Sequence, residues 1–163
     1  MVPIEIKETY NTEPIEEAEK ILHDYTSREN IELIMGGNKA FYSPDNDSIT
    51  LPCIRQFKQA EEFYSTAFHE CGHSTLKKCR CDREEENTGA YFGSMGYSKE
   101  ELVAEITSAA VLHSIEIETP DTFRNSVAYI KGWLEVLKND KKFIVSASCK
   151  AEKAAKYILN IKE

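Results

Sequence analysis

The chain contains no apolar run long enough to cross a bilayer, which excludes a membrane-spanning helix. Its first residues, MVPIEIKETY, lack the basic and apolar blocks of a signal peptide, so a cytoplasmic protein is expected. Positive charge is scarce: 20 Lys and Arg against 28 Asp and Glu leave a formal net charge of −8. An acidic surface repels phosphate backbones, so direct nucleic-acid binding by this segment is not expected, and neither is a membrane partner. The basic clusters Lys77-Lys78-Arg80 and Lys141-Lys142 are short and read as solvated surface. Cysteine is limited to Cys53, Cys71, Cys79, Cys81 and Cys149. An odd number at non-repeating spacings makes no disulfide framework, and free thiols are expected. Cys79 and Cys81 form a C-x-C without the second pair that would make it a persuasive metal or redox motif. Repeats and low-complexity segments are also missing.

What is present is globular material. Hydrophobic residues make up 41% of 163, enough for one compact domain over residues 1–163, with 1–11 as a flexible lead-in. Thr12-Glu-Pro-Ile-Glu-Glu opens like a helix, with threonine as the cap, and Ile15, Ala18, Ile21, Leu22 and Tyr25 follow at helical spacing. Three short strands are predicted at Ile31–Met35, Ala40–Tyr42 and Ser48–Leu51, parted by Gly36-Gly37-Asn38 and Pro44-Asp45-Asn46-Asp47 and forming an antiparallel sheet. From Gln59 to Lys78 the period is helical, with a stripe through Ala60, Tyr64, Ala67 and Cys71. Residues 79–97 read as a loop. Ser98 is the predicted N-cap of a helix to about Ile115, and two further helices cover about Thr122–Leu137 and Lys141–Leu159. Trp133 is in line with Ile130 and Leu137 and is assigned to the core, while His23 and His113 read as structural or surface histidines. A helix, a small sheet and four helices in that order make an α+β fold.

The chemistry concentrates in FHECGHS, Phe68 to Ser74. On a helix, His69 and His73 lie one turn apart on one face and can aim two ring nitrogens at a single metal ion. Zinc suits such a pair. Glu70 falls about a hundred degrees around the helix, beside the metal rather than on it, where a carboxylate can act as general base toward an activated water. The stripe through Tyr64, Ala67 and Cys71 faces away from the histidines, which leaves them open to substrate. Gly72 would let another helix approach closely.

A hydrolytic zinc needs a third protein ligand and an open position. Glu101 and Glu105 are spaced i and i+4 in SKEELVAEITSAA, so one can bind metal while the other accepts the free ring N–H of a ligating histidine. If Ser98-x-x-Glu101 is instead a capping box, Glu105 becomes the ligand. Glu100 points elsewhere on the helix. The small residues Ala104, Ser108 and Ala109 would allow this helix to pack closely on the histidine helix. Tyr91 and Tyr97, just before Glu101, are candidates to steady the oxyanion.

HExxH followed by a helix carrying E-x-x-x-[DEN] resembles the thermolysin-like branch of the zincin metallopeptidases. That resemblance implies Glu101 as the ligand and Glu105 as the support for a histidine. The blocks ITLPCIRQF, EEFYSTAFHECGHST, YFGSMGYSKEELVAEI and YIKGWLEVLKND with KAAKYIL are more closely similar to the C-terminal metallopeptidase domain of ArdC-type antirestriction proteins. The similarity runs from about Ala18 to Ile158. It implies a zincin-like domain with a small sheet over the HExxH helix, Zn2+ as cofactor, and a role for mobile DNA against host restriction. The implied partner is a protein or peptide substrate, such as a host defence protein. Full-length relatives also carry an N-terminal domain that binds single-stranded DNA, which this chain is expected to lack. Ser74 departs from the family, where many relatives have tryptophan, so a wall of the cleft is expected to differ. The residues thus support a zinc peptidase. The alternative is a zinc-containing module that grips a host restriction or regulatory protein without cleaving it. A purely structural zinc is disfavoured, because only three good ligands are visible.

Overall fold

The structure, a computed structural model, describes residues 9–87, 89, 94–138 and 140–162. The elements are α1 (Glu16–Arg28), β1 (Glu32–Met35), β2 (Phe41–Ser43), β3 (Ser48–Leu51), α2 (Ala60–Ser74), α3 (Met95–Ser114), α4 (Pro120–Val136) and α5 (Lys141–Ile158). The arrangement is α+β, as the order of sequence patterns implies. No helix among the described residues is long and apolar enough to cross a membrane. Most of the proposed lead-in, residues 1–8, lies outside the described residues, whereas the Tyr10 amide donates to the Arg55 carbonyl at 2.7 Å.

The sheet is not the antiparallel one expected. Its strand order is β1-β3-β2, with β1 parallel to β3 and only β2 antiparallel to it. Pro44 to Asp47 does join a hairpin, but Gly36 and Gly37, both at positive φ, lead the chain past β3 instead of folding β2 onto β1. Burial explains the order. In β3, Ile49 and Leu51 are completely buried, whereas β1 exposes Glu32, Ile34 and Met35. The strand that can be buried takes the centre, where both its edges are paired.

The main core joins Leu22 and Tyr25 of α1, Ile49 and Leu51, and Phe63, Tyr64, Phe68 and Cys71 of α2. Each large apolar side chain there contributes roughly 1.5–3 kcal/mol by leaving water. A second cluster, with Leu102, Val103, Leu137, Ala147 and Ala151, fastens α3 to the C-terminal helices.

Several local expectations are corrected by longer-range partners. Thr12 does not cap α1; Ile15 holds that position, and the Thr12 hydroxyl donates to the Phe57 carbonyl at 2.5 Å. The histidine helix stops at Ser74 instead of Lys78. There Thr75 Oγ1 and Arg83 Nη2 donate to Gly72 O, and Arg80 Nη1 to Ser74 O, so carbonyls of its last turn find partners outside the helix. Arg80 is therefore not solvated surface. It is 8% exposed and donates to both Asp47 carboxylate oxygens and to Glu29. Ser94, not Ser98, caps α3, with its Oγ accepting from the Tyr97 amide at 3.2 Å. Ser98 is buried inside the helix, its hydroxyl donating to Ser94 O, so no capping box draws Glu101 back to the N-terminus.

Candidate metal centre

The site forms where α2 crosses α3. The α2 stripe through Tyr64, Ala67 and Cys71 is fully buried, so His69 and His73 emerge on the opposite, half-buried face. α3 lies against that face at very short range. An added Cβ on Gly72 would come within 3.1 Å of Ala104 Cα, and Ser108 Oγ donates to the Ser65 carbonyl at 2.6 Å. This close approach delivers Glu100, Glu101 and Glu105 to the histidines.

Three residues converge. His69 Nε2 and His73 Nε2 are 3.1 Å apart. Glu101 places Oε2 at 3.2 Å from the first and Oε1 at 3.0 Å from the second. Tetrahedral zinc with ligands at about 2.0–2.1 Å sets neighbouring donors about 3.3 Å apart, so the triad fits a divalent cation within a few tenths of an ångström. Among the described residues it is the group of histidine, cysteine and acidic side chains that could hold a metal. Cys79 and Cys81 do not join it: Cys79 is exposed, Cys81 is buried, and both are free.

The outer nitrogens are held as well. His69 Nδ1 is hydrogen-bonded to Glu105 Oε2 at 3.1 Å, and His73 Nδ1 faces Glu100 Oε1 at 3.5 Å, an ion-pair distance longer than a well-formed hydrogen bond. Each contact suits a ring that donates outward from Nδ1 and keeps an Nε2 lone pair for the centre. The electrostatics favour a cation. Burial pushes the His69 imidazole down, but the hydrogen bonds it donates to the Glu101 and Glu105 carboxylates more than offset it and raise the group to about 9. His73 is raised for the same reasons, with Glu100 and Glu101 as its partners. Burial pushes the Glu101 carboxyl up, yet the two histidines hold it well below the usual carboxylate range.

The triad opens into a cavity of about 1460 Å³. β2 contributes Phe41 and Tyr42 to its wall, and α4 contributes Tyr129 and Trp133. Glu70 lines it beside the two histidines, as does Tyr97. Burial, then the neighbouring Glu101, pushes the Tyr97 phenol up to about 12, so it stays protonated and able to donate near neutral pH. Tyr91 lies outside the described residues. Trp133 is only partly a core residue. It packs on the second cluster, but its ring also meets Tyr97 edge-on at 5.8 Å and faces the cavity. Ser74 is not a cleft wall: it is fully buried, hydrogen-bonded to the Tyr25 hydroxyl at 2.7 Å. His23 and His113 are exposed, and neither lines the cavity or joins the triad.

Sequence reasoning missed Glu100 and Arg83. On sequence, Glu100 points elsewhere on the helix from the ligand face, and Arg83 sits in a stretch read as loop. Only a contact spanning 17 residues joins them.

Comparison with known proteins shows the family. Residues 16–150 match the family model described as zincin-like metallopeptidase. Protein y4eC of Sinorhizobium fredii is 32% identical over 96% of this chain and 48% of its own length. The Escherichia coli DNA primase TraC is 40% identical over 76% of this chain, but that is 8% of TraC. The crystal structure of antirestriction protein ArdC from plasmid R388 in its Mn(II)-bound form superposes with a TM-score of 0.64 at 28% identity. That match covers 91% of this chain and 52% of ArdC. The metal-free form of the same protein also gives 0.64, at 31% identity over 87% of this chain. The chain thus spans about half the length of y4eC and ArdC and a small part of TraC. With the family model matched along most of its length, the chain belongs to the zincin-like metallopeptidases.

Proposed function

We propose that this chain is the zinc-dependent peptidase domain of an ArdC-type antirestriction protein, acting on a host defence protein in the cytoplasm. The convergence of His69, His73 and Glu101 at about 3 Å beside Glu70 in an open cavity carries the reading. Those three residues would hold the metal. Two imidazoles and a carboxylate suit zinc, while R388 ArdC has been solved with Mn(II). When bound, zinc supplies a Lewis acid that polarises the scissile carbonyl and acidifies water toward neutral pH.

The chain's own residues do the rest. Glu70 takes a proton from the attacking water and returns it to the leaving amine. Glu105 fixes the ring of His69 through Nδ1. Tyr97 donates its phenol proton as a hydrogen bond to the developing oxyanion. β2 is an edge strand of the described sheet on the cavity wall, suited to pairing with an extended peptide.

A second reading, a binding module that grips its target without cleaving it, draws on the likeness to an antirestriction protein solved both with Mn(II) and without metal. Elemental analysis and a restriction-protection assay separate the two. We expect about one zinc per chain, lost in His69→Ala. In Glu70→Gln the metal stays but protection and cleavage of the target are lost. Full protection by Glu70→Gln would remove the peptidase reading and leave the binding module.

A further inference from the structure

Arg83 lies in the stretch between α2 and α3 and is 3% exposed. Burying a guanidinium is costly unless its donors are satisfied. Here Nε donates to Glu100 Oε2 at 3.2 Å and Nη2 to Glu100 Oε1 at 2.8 Å, a fork on one carboxylate. Nη2 also donates to Gly72 O at 3.1 Å, and Nη1 to Thr75 Oγ1 at 2.9 Å. Asn87 closes the arrangement, donating to Glu100 Oε2 at 3.3 Å and to the Arg83 carbonyl at 3.1 Å.

The positions of these partners matter. Gly72 immediately precedes His73, and Glu100 immediately precedes Glu101. One guanidinium therefore ties the backbone beside one member of the triad to the side chain beside another. The carboxylate it grips is also the one that faces His73 Nδ1, at 3.5 Å. A lysine could supply the charge but not the two parallel N–H groups.

We propose that Arg83 is a positioning residue for the metal centre: it fixes the Glu100 carboxylate so that His73 donates from Nδ1 and presents Nε2 to the metal. The charge argument supports an indirect role. A cation next to a metal site would weaken metal binding, but the ionised Glu100 stands between Arg83 and His73 and offsets it. The chain thus treats its two histidines alike, with a carboxylate behind each ring. Behind His73, that carboxylate is itself clamped.

This inference rests on His73 being a metal ligand. It is tested by zinc affinity, measured by competition with a chromophoric chelator, in wild type, Arg83→Met, Arg83→Lys, Glu100→Gln and the Arg83→Met/Glu100→Gln double variant. Circular dichroism checks the fold. Loss of a group that supports a metal ligand weakens binding roughly 10–100-fold. We expect a loss of that order in Arg83→Met and a partial recovery in Arg83→Lys. The double variant should bind no more weakly than Glu100→Gln, because Arg83 acts through that carboxylate. A purely structural arginine would give additive losses, and additivity overturns the proposal. So does wild-type affinity in Arg83→Met. If Arg83→Met fails to fold, the Arg83→Lys/Glu100→Gln cycle is read in the same way. Wild type that binds no zinc removes the metal reading itself, a failure seen before any variant is compared.

Discussion

Gly72→Ala tests whether helix contact sets the metal geometry. Alanine is the better helix former by about 1 kcal/mol in a helix interior, and by less in a last turn such as this one. Against that gain, the new Cβ would stand 3.1 Å from Ala104 Cα, 3.3 Å from Thr107 Cβ and 3.4 Å from Ala104 O. Carbon atoms prefer about 3.5–4.0 Å. Two of the three atoms are backbone, so no rotamer change relieves the contact and α3 must retreat by a few tenths of an ångström. Overpacking of this kind costs about 1–3 kcal/mol. The net expectation is a loss of about 1 kcal/mol, or roughly 2–4 °C in Tm for a domain of this size. The retreat also widens the gap between His73, the next residue, and Glu101. Zinc affinity should therefore fall, and a tenfold drop corresponds to about 1.4 kcal/mol. Gly72→Val should be worse on both counts. The measurements are thermal melts with and without zinc, and chelator competition. A Gly72→Ala protein that is more stable by the propensity gain and binds zinc as wild type does would refute the reasoning, since the helices would then not be in limiting contact.

Thiol accessibility follows from burial. Cys53, Cys79 and Cys149 are exposed, and Cys71 and Cys81 are buried. Burial also pushes the Cys71 thiol far up, which removes its nucleophilic thiolate. Ellman titration should give three fast thiols and two more on unfolding; five fast thiols would contradict the packing of α2. Acid stability should depend on Asp47. Burial pushes its carboxyl up, but hydrogen bonds from Arg80 and Tyr42 more than offset this and lower it below the ordinary value. Its contribution is therefore complete above the unfolded value of about 3.9 and is lost as pH falls through the lower folded value. Asp47→Asn should lose stability at neutral pH, on the order of 1–3 kcal/mol, because donors of the buried Arg80 lose their charged partner. Urea midpoints of the two proteins should converge only below about pH 4; a constant gap down to pH ~2 would rule this pair out as the cause.

The amphipathic pattern of residues 60–74 was enough to place His69 and His73 on one face opposite a buried stripe, because an α-helix has one period and that period is local. The same holds for the i,i+4 spacing of Glu101 and Glu105, for Gly72 at a close contact, and for the helices after Pro120. What needed the tertiary structure was everything decided by partners distant in sequence. β1 pairs with β3, and the most buried strand rather than the most apolar one takes the centre, which no turn signal reveals. Ser98 is the cap the sequence suggests for α3, yet the helix begins at Ser94, and Tyr97 in its first turn packs on Trp133. On sequence, Arg80 reads as solvated surface and Arg83 as part of a loop. Their burial depends on carboxylates at Asp47, Glu29 and Glu100, brought to them by the fold. Periodicity reports which face a residue occupies on its own element; only the packing of elements decides what that face meets.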